Sequence, residues 1–336
     1  MALLTATNFD YLNARLHGMR SRLWEGDRLE DLCKRRSLSE VALASTGDGL
    51  APSAGVVEKR LAAQHVDVLA RIAGEMRGGE RWFFRALIER YRVEDVKVIV
   101  RWRAAKEPVT SPAPFLLPMP EWIDVPYERL IAAPDMAALV EALPEEWQSA
   151  AATRGLEAFD ATGSAFFVEA ALDQEAFNLV IRRHADLPRS HRKATVEILE
   201  RERVAYNVMF AARAATTYRL GLAEVEPYLA PTGPGTGADL ARVHAAPTAA
   251  TILEVLPASL TGGTARGEAA DLAEVERRLW TGLAQMANRL FYGSIFSLGM
   301  ATAFYYLKRV ELFNLIRVVE GMRYGLPPAE IRQRMI

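Results

Sequence analysis

The sequence predicts an all-helical (all-α) protein built from three like units. Three observations carry this expectation. Apolar residues recur at alternating three- and four-residue spacing along most of the chain. Strand-type alternation is scarce. One local pattern returns after about 110 residues, a third of the 336-residue length.

Taken in order, Asn8 is placed to cap a first helix in which Phe9, Leu12, Leu16, Met19 and Leu23 share one face. Arg15, Arg20 and Arg22 on the opposite face read as solvated charges. Val57, Leu61, Val68, Leu69, Ile72 and Met76 form the next stripe, ended by Gly78-Gly79. Trp82, Phe83, Ala86 and Leu87 resume the helical pattern. Val98-Ile99-Val100 alone would pass for a strand, but its flanks are helical. Helices are expected over residues 166–182 and 190–220, divided by Leu187-Pro188, and again from an Asp271 cap through Glu274, Leu279 and Leu283.

Two helix-free stretches divide the chain. Residues 108–126 hold Pro108, Pro112, Pro114, Pro118, Pro120 and Pro126, a density that forbids a continuous helix. A second break falls near Gly221 and is followed by the Gly- and Pro-rich run 227–237. The expected units are therefore residues 1–110, 111–222 and 223–336.

The recurring pattern is a helix bearing an acid or amide, an apolar and basic continuation, and a proline or glycine stop. Asp95, Asn207 and Asn314 mark its three copies. Units of this length suit three small helical bundles better than a solenoid. The three polar side chains are expected to bond a neighbouring backbone group or bridge two helices, not to catalyse.

Half of the chain is apolar and a quarter charged, enough to bury a core, and the formal net charge is −1. By thirds the charge runs about +4, −5 and 0, which suits a protein partner better than nucleic acid or an anionic membrane surface. Cys33 is the lone cysteine, so neither an internal disulfide nor a Cys-based zinc cage is possible. The opening Met-Ala-Leu-Leu-Thr-Ala-Thr-Asn resembles no signal peptide, and a cytoplasmic location is expected. Residues 290–307 carry no charge and border the length of a transmembrane helix. A long apolar helix buried inside the protein explains the run, so no membrane span or lipid anchor is expected.

Several stretches resemble one family. Phe9-Asp10-Tyr11-Leu12-Asn13-Ala14-Arg15-Leu16 is similar to the start of the C-type (AC39) subunit of prokaryotic V/A-type ATPases, the counterpart of the eukaryotic d-type subunit. Tyr305-Tyr306-Leu307-Lys308-Arg309-Val310-Glu311-Leu312-Phe313-Asn314-Leu315, followed by Gly325-Leu326-Pro327-Pro328-Ala329-Glu330-Ile331, is similar to the family's terminal helix pair. Residues 90–108 resemble the end of its first domain. The resemblance implies a funnel-shaped, pseudo-threefold, non-catalytic rotor part. Such a part sits at the cytoplasmic face of the membrane between the proteolipid (c) ring and the central shaft (D/F-type) subunits, and transmits torque for ion transport. It implies no cofactor, no metal and no catalytic residue.

Enzyme signatures do not compete with that expectation. Gly233-Pro234-Gly235-Thr236-Gly237 lacks the lysine of a phosphate-binding loop, and no Gly-x-Ser-x-Gly elbow occurs. His17, His65, His184, His191 and His244 form no His-Glu-x-x-His pair. The acidic pairs Glu94-Asp95 and Glu145-Glu146 read as solvated surface, not as magnesium-diphosphate sites. A generic helical scaffold and, further off, an all-α enzyme remain as alternatives.

Overall fold

The computed structural model describes residues 7–49, 53–105, 111–144, 147, 150–233, 239–263, 271–293 and 297–336. Among these residues the regular structure is helical, with no strand. Three short helices precede two long ones, three times over. The first set is α1 (Phe9–Arg20), α2 (Gly26–Cys33), α3 (Leu38–Thr46), α4 (Ala54–Glu75) and α5 (Gly78–Ala104). The second is α6 (Tyr127–Ala132), α7 (Met136–Glu141), α8 (Ala150–Thr162), α9 (Phe166–Ala185) and α10 (Arg189–Arg213). The third is α11 (Leu222–Val225), α12 (Leu240–Ala245), α13 (Ala249–Val255), α14 (Leu272–Gly293) and α15 (Leu298–Arg323), followed by α16 (Pro328–Gln333).

Local chemistry starts these helices where it should. Asn8, Ser37, Ser53, Asp135, Asp239, Thr248 and Ser297 each accept a backbone N–H of the first turn, and Asp271 does so from Glu274 N at 3.0 Å. Gly47 closes α3 at φ +79° and Gly78 opens α5 at φ +48°, backbone that side chains with a Cβ rarely adopt. Residues 98–100 lie inside α5. Among the described residues between α5 and α6, where prolines are dense, the helical structure is a short 3₁₀ turn, Ala113–Phe115; Pro108 lies outside the described residues. A second 3₁₀ turn, Glu226–Tyr228, begins the stretch expected to be wholly irregular.

The long helices pack in a closed order: α4 on α5, α5 on α9, α9 on α10, α10 on α14, α14 on α15, and α15 back on α4. One core lies where the two long helices of each set turn into each other. It joins Ile72, Phe83 and Phe84 to Val180, Ile198 and Leu199, and to Phe291, Phe304, Tyr305 and Tyr306. Phe84 meets Tyr305 edge-on at 6.3 Å and Tyr305 meets Tyr306 at 5.1 Å. At the other ends of these helices lie further cores. One joins residues 93–100 of α5 to α6, α7 and α9; another joins residues 204–212 of α10 to α12, α13 and α14. In the third, Leu312, Leu315, Val318 and Val319 of α15 pack on α2, α3 and α4. Each of these peripheral cores is therefore shared between successive sets of helices.

Two expectations need correction. Residues 290–307 are not one helix: α14 ends at Gly293 and a new helix begins behind the Ser297 cap. The apolar character of the run arises from the central core, in which residues 298–307 are buried. No helix among the described residues is long and apolar enough to cross a membrane. The arginines of α1 are also not simply solvated. Arg15 pairs with Glu75 of α4, and Arg20 pairs with Glu25 and reaches Asn288 of α14 at 2.9 Å, so both tie α1 to the long helices; Arg22 is exposed.

Backbone approaches closely where α14 passes the segment after α13. A Cβ on Gly282 would stand 2.2 Å from the Leu260 carbonyl oxygen, whereas one on Gly18 of α1 would meet nothing within 4 Å. Gly282→Ala is therefore expected to destabilise the protein by about 1–3 kcal/mol, and Gly18→Ala to stabilise it by about 0.5–1 kcal/mol. Urea unfolding of the two variants measures both, and equal stability of Gly282→Ala and the parent would contradict the packing described.

Candidate functional site

The second long helices, α5, α10 and α15, each turn one face toward a central cavity of ≈ 690 Å³. Helical spacing puts Arg90, Glu94, Lys97 and Arg101 on that face of α5, and Glu202, Tyr206, Met209 and Arg213 on that face of α10. Arg309 and Phe313 complete it from α15. The N-terminal halves of α9 and α14 supply the remaining walls.

The floor is ionic. Glu202 is buried, and one of its oxygens, Oε1, accepts from both Arg90 (2.5 Å) and Arg309. Its other oxygen accepts from the Tyr306 hydroxyl at 2.7 Å. Burial by itself raises the Glu202 carboxyl, but the Arg90 and Arg309 guanidinium groups outweigh it and hold the value down to about 2. The guanidinium planes also cover aromatic rings, Arg90 lying 4.4 Å from the centre of Phe177 and Arg309 4.8 Å from Trp280. Above this floor Lys97 bridges Glu94 (2.9 Å) and Asp173 of α9 (2.8 Å). Nearer the rim, Arg101 pairs with Glu169 and Arg213 with Glu276, each at 3.0 Å. One wall is aromatic: Tyr206, Phe210 and Phe166 stack in succession. Tyr218 closes on Phe166 at 4.3 Å from the π-helical turn that ends α10.

Asp95, Asn207 and Asn314 sit on the same helices, one turn beyond the floor, and each holds backbone that follows 22 or 23 residues later. Asp95 accepts from Leu117 N at 2.9 Å and from the Tyr127 hydroxyl at 2.5 Å. Asn207 accepts from Ala230 N (2.8 Å) and donates to Ala230 O (2.9 Å). Asn314 does the same with Ile336, at 2.9 and 3.2 Å. All three are buried, so Asp95 is not the solvated acid expected for its pair, although Glu94 beside it is exposed. Burial raises the Asp95 carboxyl to about 6 against the pull of its two donors. Glu145-Glu146 lie outside the described residues.

The histidines are spread apart. His184 bonds Thr195 at 2.9 Å, His191 lies 3.3 Å from Glu80, and buried His65 bonds Tyr91 at 2.5 Å. Among the described residues no group of three His, Cys, Asp or Glu side chains is placed to hold a metal ion.

A ring of helices surrounds a charged, aromatic cavity. The family model of the ATP synthase (C/AC39) subunit matches residues 12–334. The chain belongs to that family. A search of curated proteins found no match. The C/AC39 subunit is a structural, not a catalytic, part of the ATPase complex, so the residues lining its cavity are to be understood by what they hold in place.

None of the floor residues was singled out in the sequence, although a signal for them exists. Arg90, Glu202 and Arg309 each fall five residues before Asp95, Asn207 and Asn314, separated by 112 and 107 residues. Superposing the three copies of the pattern brings them into register.

Glu202→Gln leaves two partly buried guanidinium groups without the carboxylate they share and is expected to cost about 3 kcal/mol. Arg309→Met leaves a neutral Arg90–Glu202 pair and is expected to cost less. Both are read from urea unfolding. Asn207→Ala strands the buried N–H and C=O of Ala230 and is expected to cost about 1–3 kcal/mol, measured the same way.

Proposed function

We propose that this C/AC39 family member is the rotor spacer between the membrane proteolipid ring and the central shaft, on the cytoplasmic side, and that its cavity is the socket for the foot of the shaft. The observation that carries the reading is the cavity itself. It lies among α5, α10 and α15, with buried Glu202 between Arg90 and Arg309 in its lining and the exposed Arg101 and Arg213 farther along the same helices, while the apolar core lies toward the opposite ends of these helices. A socket that transmits rotation must resist both sliding and turning. Close-packed helices supply stiffness, and walls of paired charges and flat rings supply a surface that an inserted helix can grip without trapping an unpaired charge.

The closed end suits the other contact. Trp82 at the start of α5 and Tyr292 at the end of α14 are large, exposed aromatic side chains at that end, the type enriched at protein interfaces. The three polar clamps and the matching offsets along α5, α10 and α15 support three related units. A body of near-threefold form would meet a many-fold ring on one side and a single shaft on the other.

Cys33 is buried, so an engineered thiol at the rim is the accessible thiol of this chain. With Arg213→Cys in the assembled complex, a short bifunctional reagent is expected to link this chain to a protein of the shaft and to stop ATP-driven ion transport. Deleting the spacer is expected to free the soluble ATPase head from membranes. Links formed only to other components, or ion pumping intact without this chain, would overturn the reading.

A further inference from the structure

The formal charge of −1 conceals an uneven distribution. Residues 71–85 and 182–193, around the α4–α5 and α9–α10 turns, hold nine arginine or lysine residues against three acids. Two of those acids are engaged, Glu75 by Arg15 and Glu80 by His191 at 3.3 Å. Among the bases, Arg71 and Arg182 are balanced by Asp67 and Glu175. The other seven have no carboxylate within ion-pair distance among the described residues. Arg81 and Arg192 donate to helix-terminal carbonyls, Arg85 lies over the Trp82 and Trp122 rings, and Arg77, Arg183, Arg189 and Lys193 are exposed. The cavity differs: there Arg90, Lys97, Arg101, Arg213 and Arg309 each pair with a carboxylate.

These bases share one surface, the closed end of the helix ring. His191 joins its parts. It lies 5.2 Å from the Phe9 ring of α1, faces Glu80 of α5, and accepts the Leu298 N–H that opens α15 at 3.3 Å. Arg183 lies 5.7 Å from the centre of the Trp82 ring and His184 5.7 Å from that of Phe83, so the two basic turns stand side by side. Trp82, Tyr292 and Tyr11 are exposed at this end. The exposed acids left on α1, on the α9–α10 turn and on α10 are Asp10, Asp186 and Glu197.

We propose that the closed end docks on acidic phospholipid headgroups, with its unpaired arginine and lysine side chains against the phosphates and Trp82 and Tyr292 at headgroup level. A guanidinium takes phosphate oxygens in pairs, and each base held at an anionic surface adds to the attraction. Aromatic side chains with an apolar body and a polar tip favour the boundary between headgroups and hydrocarbon. Nucleic acid is met by a basic stripe or groove. Here the bases stand around the blunt ends of helical hairpins, among exposed rings, an arrangement that matches a plane. No helix among the described residues is long and apolar enough to cross a membrane, so the contact is peripheral. The direction in which this end points rests on the spacer reading; its affinity for acidic lipid does not.

Flotation of the purified full chain with lipid vesicles tests it. No proteolipid is present, so failure here leaves the ring contact standing, and failure of the ring or shaft contacts leaves this one standing. Vesicles containing phosphatidylglycerol are expected to carry the chain upward, and vesicles of phosphatidylcholine alone are not. The association is expected to be lost as salt rises from about 0.1 M to about 1 M and the screening length shrinks to roughly 3 Å. Each base neutralised at the surface is expected to weaken partition about fivefold, so Arg183→Gln, Arg189→Gln and Lys193→Gln together are expected to abolish flotation. Arg35→Gln, Arg36→Gln and Arg334→Gln together, exposed beside the peripheral core at the other end of α15, are expected to leave it unchanged. No flotation, equal binding to both kinds of vesicle, equal loss in the two triple variants, or retention on duplex DNA without flotation would overturn the proposal.

Discussion

The rest of the structure is organised around one carboxylate. Glu202 lies where α5, α10 and α15 converge and takes a guanidinium from each of its neighbours. Removing such groups from water is costly, and an apolar cluster of equal volume could give as much stability. The ionic arrangement supplies direction instead. Glu202 accepts both arginines through one oxygen and Tyr306 through the other, so sliding or turning any of the three helices would break a buried charged contact. Leucines tolerate such slips far better.

Outward from that point the packing is hierarchical. The aromatic core seals one end of the ring, and peripheral cores join each set of helices to the next. The polar clamps add a second kind of restraint, because each fixes a backbone segment that leaves the long helix and returns to it. Apolar burial supplies most of the cohesion, while the polar contacts select one arrangement among the compact ones available.

The all-helical class was legible because it depends on local spacing. The Asn8 and Asp271 caps and the helical setting of residues 98–100 were legible for the same reason. Residues 290–307 misled because hydropathy does not distinguish one long buried helix from two helix ends meeting in a core. Asp95 and Arg15 misled because a charge on a helix reads as solvated until its partner on a distant helix is known. The cavity floor was hidden by the same limit, since its three members become neighbours only when three helices are set in register.

Closure of the ring by its first and last long helices has a consequence for biosynthesis. The Trp24 amide is satisfied by Glu311, 287 residues later, and the Leu87 carbonyl by Tyr305, 218 residues later. On the ribosome, the apolar stripe of α4 must wait without its cover until nearly the whole polypeptide has been made. Partners so remote in sequence make for slow maturation and a long interval of exposed oily surface. Nascent chains of this protein should accordingly lean on chaperones more heavily than a run of independently folding bundles would.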